Sequence, residues 1–287
     1  MKNEIPLVII HSGFREYLKI NLEITSQYNS IYLIGDNTVK ELGNITNVTY
    51  VDINTYRNRE DIQRLFKMFN NISSNQALME YICFERIFIL KYFLEENNIE
   101  RIFHMDSDNI LLYNINDYNF QKDVAYCLCR NYHKHRMSNS IHVGLLNKNF
   151  CDIFIQLYKD IYDNKSKLHL IQDKINYHKK DNGTFQGGGI CDMTLYYIIA
   201  NEKLIDVQNL LEPNNGVVFM NNLNNGEGYS SKEQYKMNNN IIEIQFTKNG
   251  PYIQDVIENK EYKIINIHFQ GAAKRFLNEN FKKLLYK

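Results

Sequence analysis

Apolar residues open the chain in a short unbroken run at 6–10, which reads as a buried strand, and the polar "HSGF" after it reads as a turn. Between 14 and 28 the apolar positions Tyr17, Leu18, Leu22 and Ile24 fall at helical spacing, and "SIYLIGD" then gives a second strand ending at Asp36. A third short strand is expected at 49–52 and a helical segment at about 58–69. The stretch "SSNQALMEYICFERIFILKYFLEENN" begins with a Ser/Asn cap signal and continues as a long helix. It is apolar on nearly every side from 81 to 94, interrupted only by Glu85, Arg86 and Lys91. The strand "RIFHM" follows and delivers Asp106 and Asp108. Further strands are expected at 124–129 and 140–146, a helix at 150–162, and a glycine turn into a buried helix in "GGGICDMTLYYIIA". Late strands at 241–246 and 262–267 precede "HFQGAAKRF" and a basic C-terminal helix. This alternation predicts an α/β fold with a parallel sheet covered on both faces. Ligands collect at the carboxyl ends of such strands, where "HSG", Asp36 and "DSD" all fall.

The 287 residues suit one α/β domain with insertions, and no internal repeat or Gly/Ser-rich linker divides them. A hydrophobic content of 44% is enough for a large core and excludes a disordered chain. Because 33 basic residues balance 33 acidic ones, overall charge points to neither nucleic acid nor a membrane surface, and any anionic ligand must be held locally. Five cysteines form an odd set without CxxC spacing and read as reduced thiols of a cytosolic-type compartment. Cys127 and Cys129 lack the second ligand pair a zinc site needs. The N-terminal apolar run is too short for a signal peptide, and no stretch approaches about twenty apolar residues, so a cytoplasmic protein without a transmembrane segment is expected. Abundant Asn, Lys, Ile and Tyr with only 3 Pro fit an AT-rich genome, bacterial or viral. The Asn-rich stretch 220–240 reads as loop.

Two carboxylates one residue apart at a strand end repel each other unless a cation lies between them. A divalent metal is the simplest remedy, and Asp and His donors suit Mg²⁺ or Mn²⁺, which complete their shells with phosphate oxygens. The alternative is a solvated turn in which Asp106 and Asp108 only cap the residues after them. "IHFQGAAK" places His268 at a strand end as a third ligand, Gly271 where backbone N–H groups could approach a phosphate, and Lys274 as a charge beside it. A core histidine and a surface lysine would read the same way. Arg86, in an otherwise apolar helix, requires an acceptor, either a carboxylate of the protein or a ligand. Gly187, Gly188 and Gly189 before Asp192 mark close backbone approach to a substrate with a carboxylate at a helix start, or simply the capping of that helix.

The ordered set "FER", "DSD" and "HFQGAAK" resembles the GT-A fold nucleotide-sugar glycosyltransferases, in particular the family 8 type that includes glycogenin and bacterial lipopolysaccharide galactosyltransferases. That family carries a Tyr-x-Arg helix, a DxD strand end and a late His-x-x-Gly-x-x-Lys. The resemblance implies a single Rossmann-like GT-A domain over 1–287 with a mixed, mainly parallel sheet. Residues 1–115 would bind the nucleotide-sugar, a UDP-sugar, and 116–287 the glycan or protein acceptor. By the same resemblance Asp106, Asp108 and His268 would hold Mn²⁺ or Mg²⁺ across the diphosphate. Gly271 and Lys274 would contact the phosphates, with Arg86 orienting the site. His11, Ser12, Gly13 and Asp36 would hold the nucleoside, Ser107 would lie against the donor, and Gly188 and Gly189 against sugar or acceptor. Asp192 is the catalytic candidate, as base if the reaction inverts or as a positioning carboxylate if it retains. Two positions depart from the family: Arg275 and Phe276 stand where Pro-Trp is usual, and His142 to Gly144 where Asn-x-Gly is usual. "IFHMDSDNIL" also resembles the first motif of haloacid-dehalogenase-type phosphatases, but no GDxxxD-like segment follows it. A nucleotidyltransferase would need a Gly-rich basic loop after the first strand, and "HSGFREYLK" has a single glycine. A nucleotide-sugar-binding module without turnover would share all these residues.

Overall fold

The first apolar run is a strand because both of its faces are covered. In the computed structural model, which describes residues 4–131, 133–224 and 234–285, β1 (Leu7–His11) leads through α1 (Glu16–Thr25) to β2 (Ile31–Gly35) and β3 (Val48–Asp52). Two short helices, α2 (Asn54–Arg57) and α3 (Glu60–Met68), precede the long α4 (Ala77–Glu96). There follow β4 (Arg101–Met105), β5 (Asn109–Leu111), β6 (Ala125–Cys127), β7 (Ser140–Asn147), α5 (Lys148–Tyr158), α6 (Gln172–His178), α7 (Asp192–Asn201) and β8 (Gln208–Asn209). The last third of the chain holds β9 (Val217–Val218), β10 (Met237–Asn238), β11 (Ile241–Ile242), β12 (Ile244–Thr247), β13 (Gly250–Asp255), β14 (Lys260–Ile264), β15 (Asn266–His268) and α8 (Glu279–Leu285).

Seven strands form the main sheet in the order β3-β2-β1-β4-β7-β6-β8. Strands β1 to β4 run parallel, β7 is antiparallel to β4 and β6, and β8 is parallel to β6. The sheet is therefore mixed and mainly parallel, as the resemblance implies, whereas the alternation of elements alone predicts an all-parallel one. Val8, Ile34 and Ile102 pack with Phe84, Phe88, Phe154 and Leu195 from α4, α5 and α7. The alternate residues Leu7, Ile9, Leu33 and Phe103 pack on the other face with Leu18, Leu22 and Val39. Strand order reverses between β1 and β4, so the carboxyl ends of these two strands border the crevice where such sheets bind ligands.

A second sheet, β12-β13-β14-β9, packs through Ile253 and Ile264 on Ile20 and Ile24 of α1, Ile110 of β5 and Phe269. The hydrophobic pattern reads only part of it. The expected strand at 241–246 divides into β11 and β12, and that at 262–267 into β14 and β15, while β13 is not anticipated. The hairpin between β12 and β13 turns through Lys248 and Asn249 before Gly250, whose φ of +110° suits glycine. Within 220–240, β10 is ordered strand, and residues 225–233 lie outside the described residues.

The cap signal before α4 serves another purpose. Gln76 is the N-cap and makes no side-chain cap bond. Ser73 and Asn75 instead donate to Glu80 Oε1 at 2.9 and 2.5 Å. The helix expected at 150–162 ends at Tyr158 and continues as a π-turn over Lys159–Asp163. All five cysteines are free thiols, and among the described residues no helix is long and apolar enough to cross a membrane.

Glu85 is 1% exposed and is neutralised by Arg57, whose Nε and Nη2 donate to its two oxygens at 2.9 and 2.7 Å. Arg57→Ala strands that buried carboxylate and should cost about 3 kcal/mol, somewhat less than a fully buried pair because Arg57 is partly exposed; a urea midpoint equal to wild type would show that the pair carries no weight. Gly189 has φ +147°, and a Cβ there would lie 2.4 Å from Ile72 O and Ser73 Cα, whereas at Gly183 a Cβ meets nothing within 4 Å. Gly189→Ala should therefore lower stability more than Gly183→Ala, by about 1–3 kcal/mol, in paired thermal melts.

Candidate active site

Strand β4 ends at Met105, and the next residues turn back on themselves. Asp106 N donates to His142 O at 2.8 Å, and Asn109 N to Asp106 O at 3.1 Å. From α1, Asn21 Nδ2 donates to the backbone oxygen of Ser107 at 2.9 Å. Strand β5 then pairs antiparallel with β15, setting His268 opposite Asn109, and Phe269 N donates to Asp108 O at 2.8 Å. Two buried amides hold this register: Asn266 Nδ2 donates to Asn109 Oδ1 at 2.7 Å, and Asn109 Nδ2 to His142 O at 3.2 Å. The sequence-distant "DSD" and "IHF" segments thus become neighbours.

The two aspartates face different partners. Asp108, 7% exposed, lies 3.5 Å from His268 Nε2 and 3.0 Å from Lys274 Nζ. Asp106 accepts from Arg86 Nη1 at 2.7 Å and lies 3.5 Å from His104 Nε2. Arg86 Nη2 donates to Asp192 Oδ2 at 2.5 Å, so one guanidinium bridges both carboxylates. The acceptor that the sequence demands for Arg86 is therefore carboxylate, twice. Partial burial would raise the Asp106 pKa, but Arg86 and then His104 hold it well below the ordinary carboxylate range. Burial likewise opposes ionisation of Asp108, and His268 overrides it.

His268 Nδ1 is 2.6 Å from Asn221 O, which places the Nδ1 proton on that carbonyl and turns Nε2 toward Asp108. A lone pair on Nε2 facing a carboxylate calls for a positive charge between them, either a proton or a metal ion. Burial would depress the His268 pKa, but the bond to Asp108 and its charge raise it. The donor chemistry of Asp108 and His268, with a backbone carbonyl orienting the imidazole from behind, fits a divalent cation. Asp106 borders them but is drawn to Arg86. Among the described residues, the group of three ligand-type side chains whose donor atoms all lie within 4.8 Å of one another is Glu80, Cys191 and Asp192. There Asp192 is engaged by Arg86, and Glu80 by Ser73 and Asn75.

At the end of β1, Gly13 N donates to Asp36 Oδ2 at 2.9 Å, and His11 Nε2 lies 2.8 Å from Gly13 O. Asp36 Oδ1 accepts from Thr38 N at 3.0 Å. Partial burial opposes its charge, but these bonds from Thr38 and Gly13 lower its pKa. His11, Ser12, Gly13 and Asp36 therefore form one turn cluster, with Ser12 exposed. Tyr17 joins this cluster to the other: its ring is 6.1 Å from the His11 ring, and Lys274 Nζ lies 5.7 Å from its centroid. Gly271 adopts φ +57° with nothing within 4 Å of a Cβ position, leaving its backbone open on that side.

Gly188 and Gly189 take φ of +141° and +147°. The close approach they permit is to the protein itself: Gly189 bridges to Ser73 and abuts Ile72 O, and Gly188 abuts the His178 ring. Asp192 does not cap α7. Cys191 is the N-cap, reciprocated by Thr194, which frees the Asp192 carboxylate for Arg86. Several site residues escape sequence reasoning: Tyr17, Asn21, His104, Asn221 and His142, whose ring stacks on His268 at 4.3 Å and 11°. Burial, then His268, pushes the His142 pKa down to about 3. The one signal for His142 in the sequence is its place in "HVG", where the resemblance expects asparagine.

No family model matches this chain, and no curated protein does. Among solved structures, mouse xyloside xylosyltransferase 1 is similar over 72% of this chain and 85% of its own at 13% identity, with a TM-score of 0.48. PaToxG glycosyltransferase is similar over 70% of each chain at 12% identity and a TM-score of 0.41. An active-site variant of LgtC covers 65% of this chain and 72% of its own at 12% identity, with a TM-score of 0.39.

Proposed function

We propose that this protein is a metal-dependent glycosyltransferase that moves a sugar from a nucleoside-diphosphate sugar, a UDP-sugar, to a hydroxyl of a glycan or protein acceptor. The observation that carries the reading is the meeting of Asp108 with His268 and Lys274 at 3.5 and 3.0 Å, beside the Asp106–Arg86–Asp192 chain. Asp106, Asp108 and His268 would hold Mn²⁺ or Mg²⁺, which supplies positive charge to the diphosphate when bound. The bond from the anomeric carbon to the diphosphate oxygen breaks, the acceptor oxygen bonds to that carbon in its place, and the acceptor proton passes to the departing diphosphate if the reaction retains or to Asp192 if it inverts. Charge growing on the departing oxygen is met by Lys274 and by backbone N–H groups near Gly271. Lys274 is suited to this because it is 40% exposed and already rests against the crevice wall, over Tyr17 and Asp108.

Arg86 acts through the carboxylates it bridges and is a positioning residue. It engages Asp192 Oδ2, and the remaining oxygen of that carboxylate would receive a sugar or acceptor hydroxyl. The turn formed by His11, Ser12, Gly13 and Asp36, together with Ser107, borders the nucleoside. The glycines at 188 and 189 shape the acceptor side through the loop they fix.

Incubation with a panel of UDP- and GDP-sugars should give nucleoside diphosphate only when Mn²⁺ or Mg²⁺ is present; free phosphate from simple phosphate esters would point to a phosphatase and overturn the reading. Asp108→Asn should abolish that release while its thermal melt stays cooperative, and full activity in this variant would remove Asp108 from the site. Lys274→Ala should weaken nucleoside-diphosphate binding about ten- to hundredfold, the loss of one hydrogen bond to a charged group at about 1.5–3 kcal/mol. Calorimetry showing unchanged affinity would contradict its role.

A further inference from the structure

A cavity of about 370 Å³ lies beside Asp192, within the size range of small-molecule sites, about 300–1,000 Å³. Cys191 and Met193, which flank Asp192, line it, so it adjoins the carboxylate that Arg86 holds. Its polar wall is basic: among the described residues His133, His135, Arg136, Lys174 and His178 line it, and no aspartate or glutamate does. Lys174 is 3% exposed, and among the described residues its side-chain nitrogen donates to neutral acceptors, Arg136 O at 2.5 Å, Thr194 Oγ1 at 2.8 Å and Met137 O at 3.2 Å. Those bonds satisfy its donors but do not neutralise its charge, and they pin the loop that carries Arg136. His133 Nδ1 accepts from His135 N at 3.2 Å, which leaves Nε2–H as its donor. The His135 pKa is lowered by desolvation and then by Lys134 and His133, with Asp173 opposing, as expected where like charges crowd together. Two buried acids lie behind this wall and both are occupied, Glu80 by Ser73 and Asn75 and Asp192 by Arg86.

One aromatic face completes the cavity. Tyr177 is 54% exposed and stacks on His135 at 4.5 Å and 17°, a flat surface of the kind that packs against a sugar ring.

We infer that this cavity receives an anionic group, a phosphate or a carboxylate, carried by the sugar acceptor close to the hydroxyl that reacts. The inference rests on the glycosyltransferase reading for the word acceptor, but the anion site stands on its own geometry. Charge and shape agree: positive groups on the wall would hold the anion, and Tyr177 would hold the ring that bears it.

The test is calorimetric titration of inorganic phosphate, glucuronate and glucose into the full chain, its His133→Ala/Arg136→Gln double variant and Lys274→Ala. At least one of the two anions should bind wild type and Lys274→Ala alike, bind the double variant about tenfold or more weakly, and bind better than glucose. Binding of phosphate alone would identify phosphate-bearing acceptors, and of glucuronate alone uronate-bearing ones. Glucose binding as tightly as both anions, no anion binding at all, or a loss confined to Lys274→Ala would each overturn the proposal. UDP titrated with Mn²⁺ into the same proteins tests the donor reading separately. It should bind the double variant as it binds wild type, which also shows that variant to be folded, and its failure to bind wild type would sink the donor assignment without touching the anion site.

Discussion

A single guanidinium, 12% exposed and shared between Asp106 and Asp192, is the interaction on which the crevice depends. Each carboxylate alone would face desolvation without compensation, and together they would repel. Arg86 answers both at once. Its position is set by the helix around it: Phe84, Ile87, Phe88 and Leu90 are buried against the sheet, so α4 cannot rotate without exposing them. Hydrophobic packing thus places a charge, and the charge in turn ties the end of β4 to the start of α7. The same logic recurs at the preceding residue of α4, where buried Glu85 is met by Arg57.

Much of this was legible in the sequence, and the reasons are local. Runs such as "LVIIH", "IYLIG" and "RIFHM" are apolar on both faces and bounded by polar turns, so strands β1, β2 and β4 could be placed almost to the residue. Asp108, His268 and Lys274 could be grouped because the ordered motifs "DSD" and "HFQGAAK" resemble a known set, and the structure sets Asp108 beside both His268 and Lys274. What could not be read depends on tertiary context. Ser73 and Asn75 look like caps, yet a buried Glu80 claims them. Gly188 and Gly189 look like room for a ligand, yet on the side a Cβ would occupy they abut His178 and Ile72, while both also line the cavity beside Asp192. In the small sheet β13 escaped because its sequence, GPYIQD, mixes polar with apolar positions and carries a proline, so its alternation stands out little from the polar turn before it.

His142 shows how a neighbouring ring can matter without reaching a ligand. It lies flat against His268, close to the Cys127 thiol and the Met220 carbonyl, deep in the sheet. A ring held neutral there adds bulk and no charge, so the imidazole in front of it keeps its plane while Asn221 fixes its rotation.

The paired amides of Asn109 and Asn266 set different rules for different parts of the chain. A one-residue slip of β15 along β5 would turn His268 to the opposite face and break the Asn266–Asn109 amide bond. Insertions or deletions within 106–111 or 264–269 are therefore closed to this protein's relatives if they keep the same crevice. The turn of the hairpin joining β12 to β13 is held by one exposed side-chain bond, from Tyr113 Oη to Asn249 O at 3.3 Å, so lengthening it at 248–249 costs that bond and leaves the β5–β15 register unchanged. Length variation in this architecture should gather at that hairpin, away from the crevice.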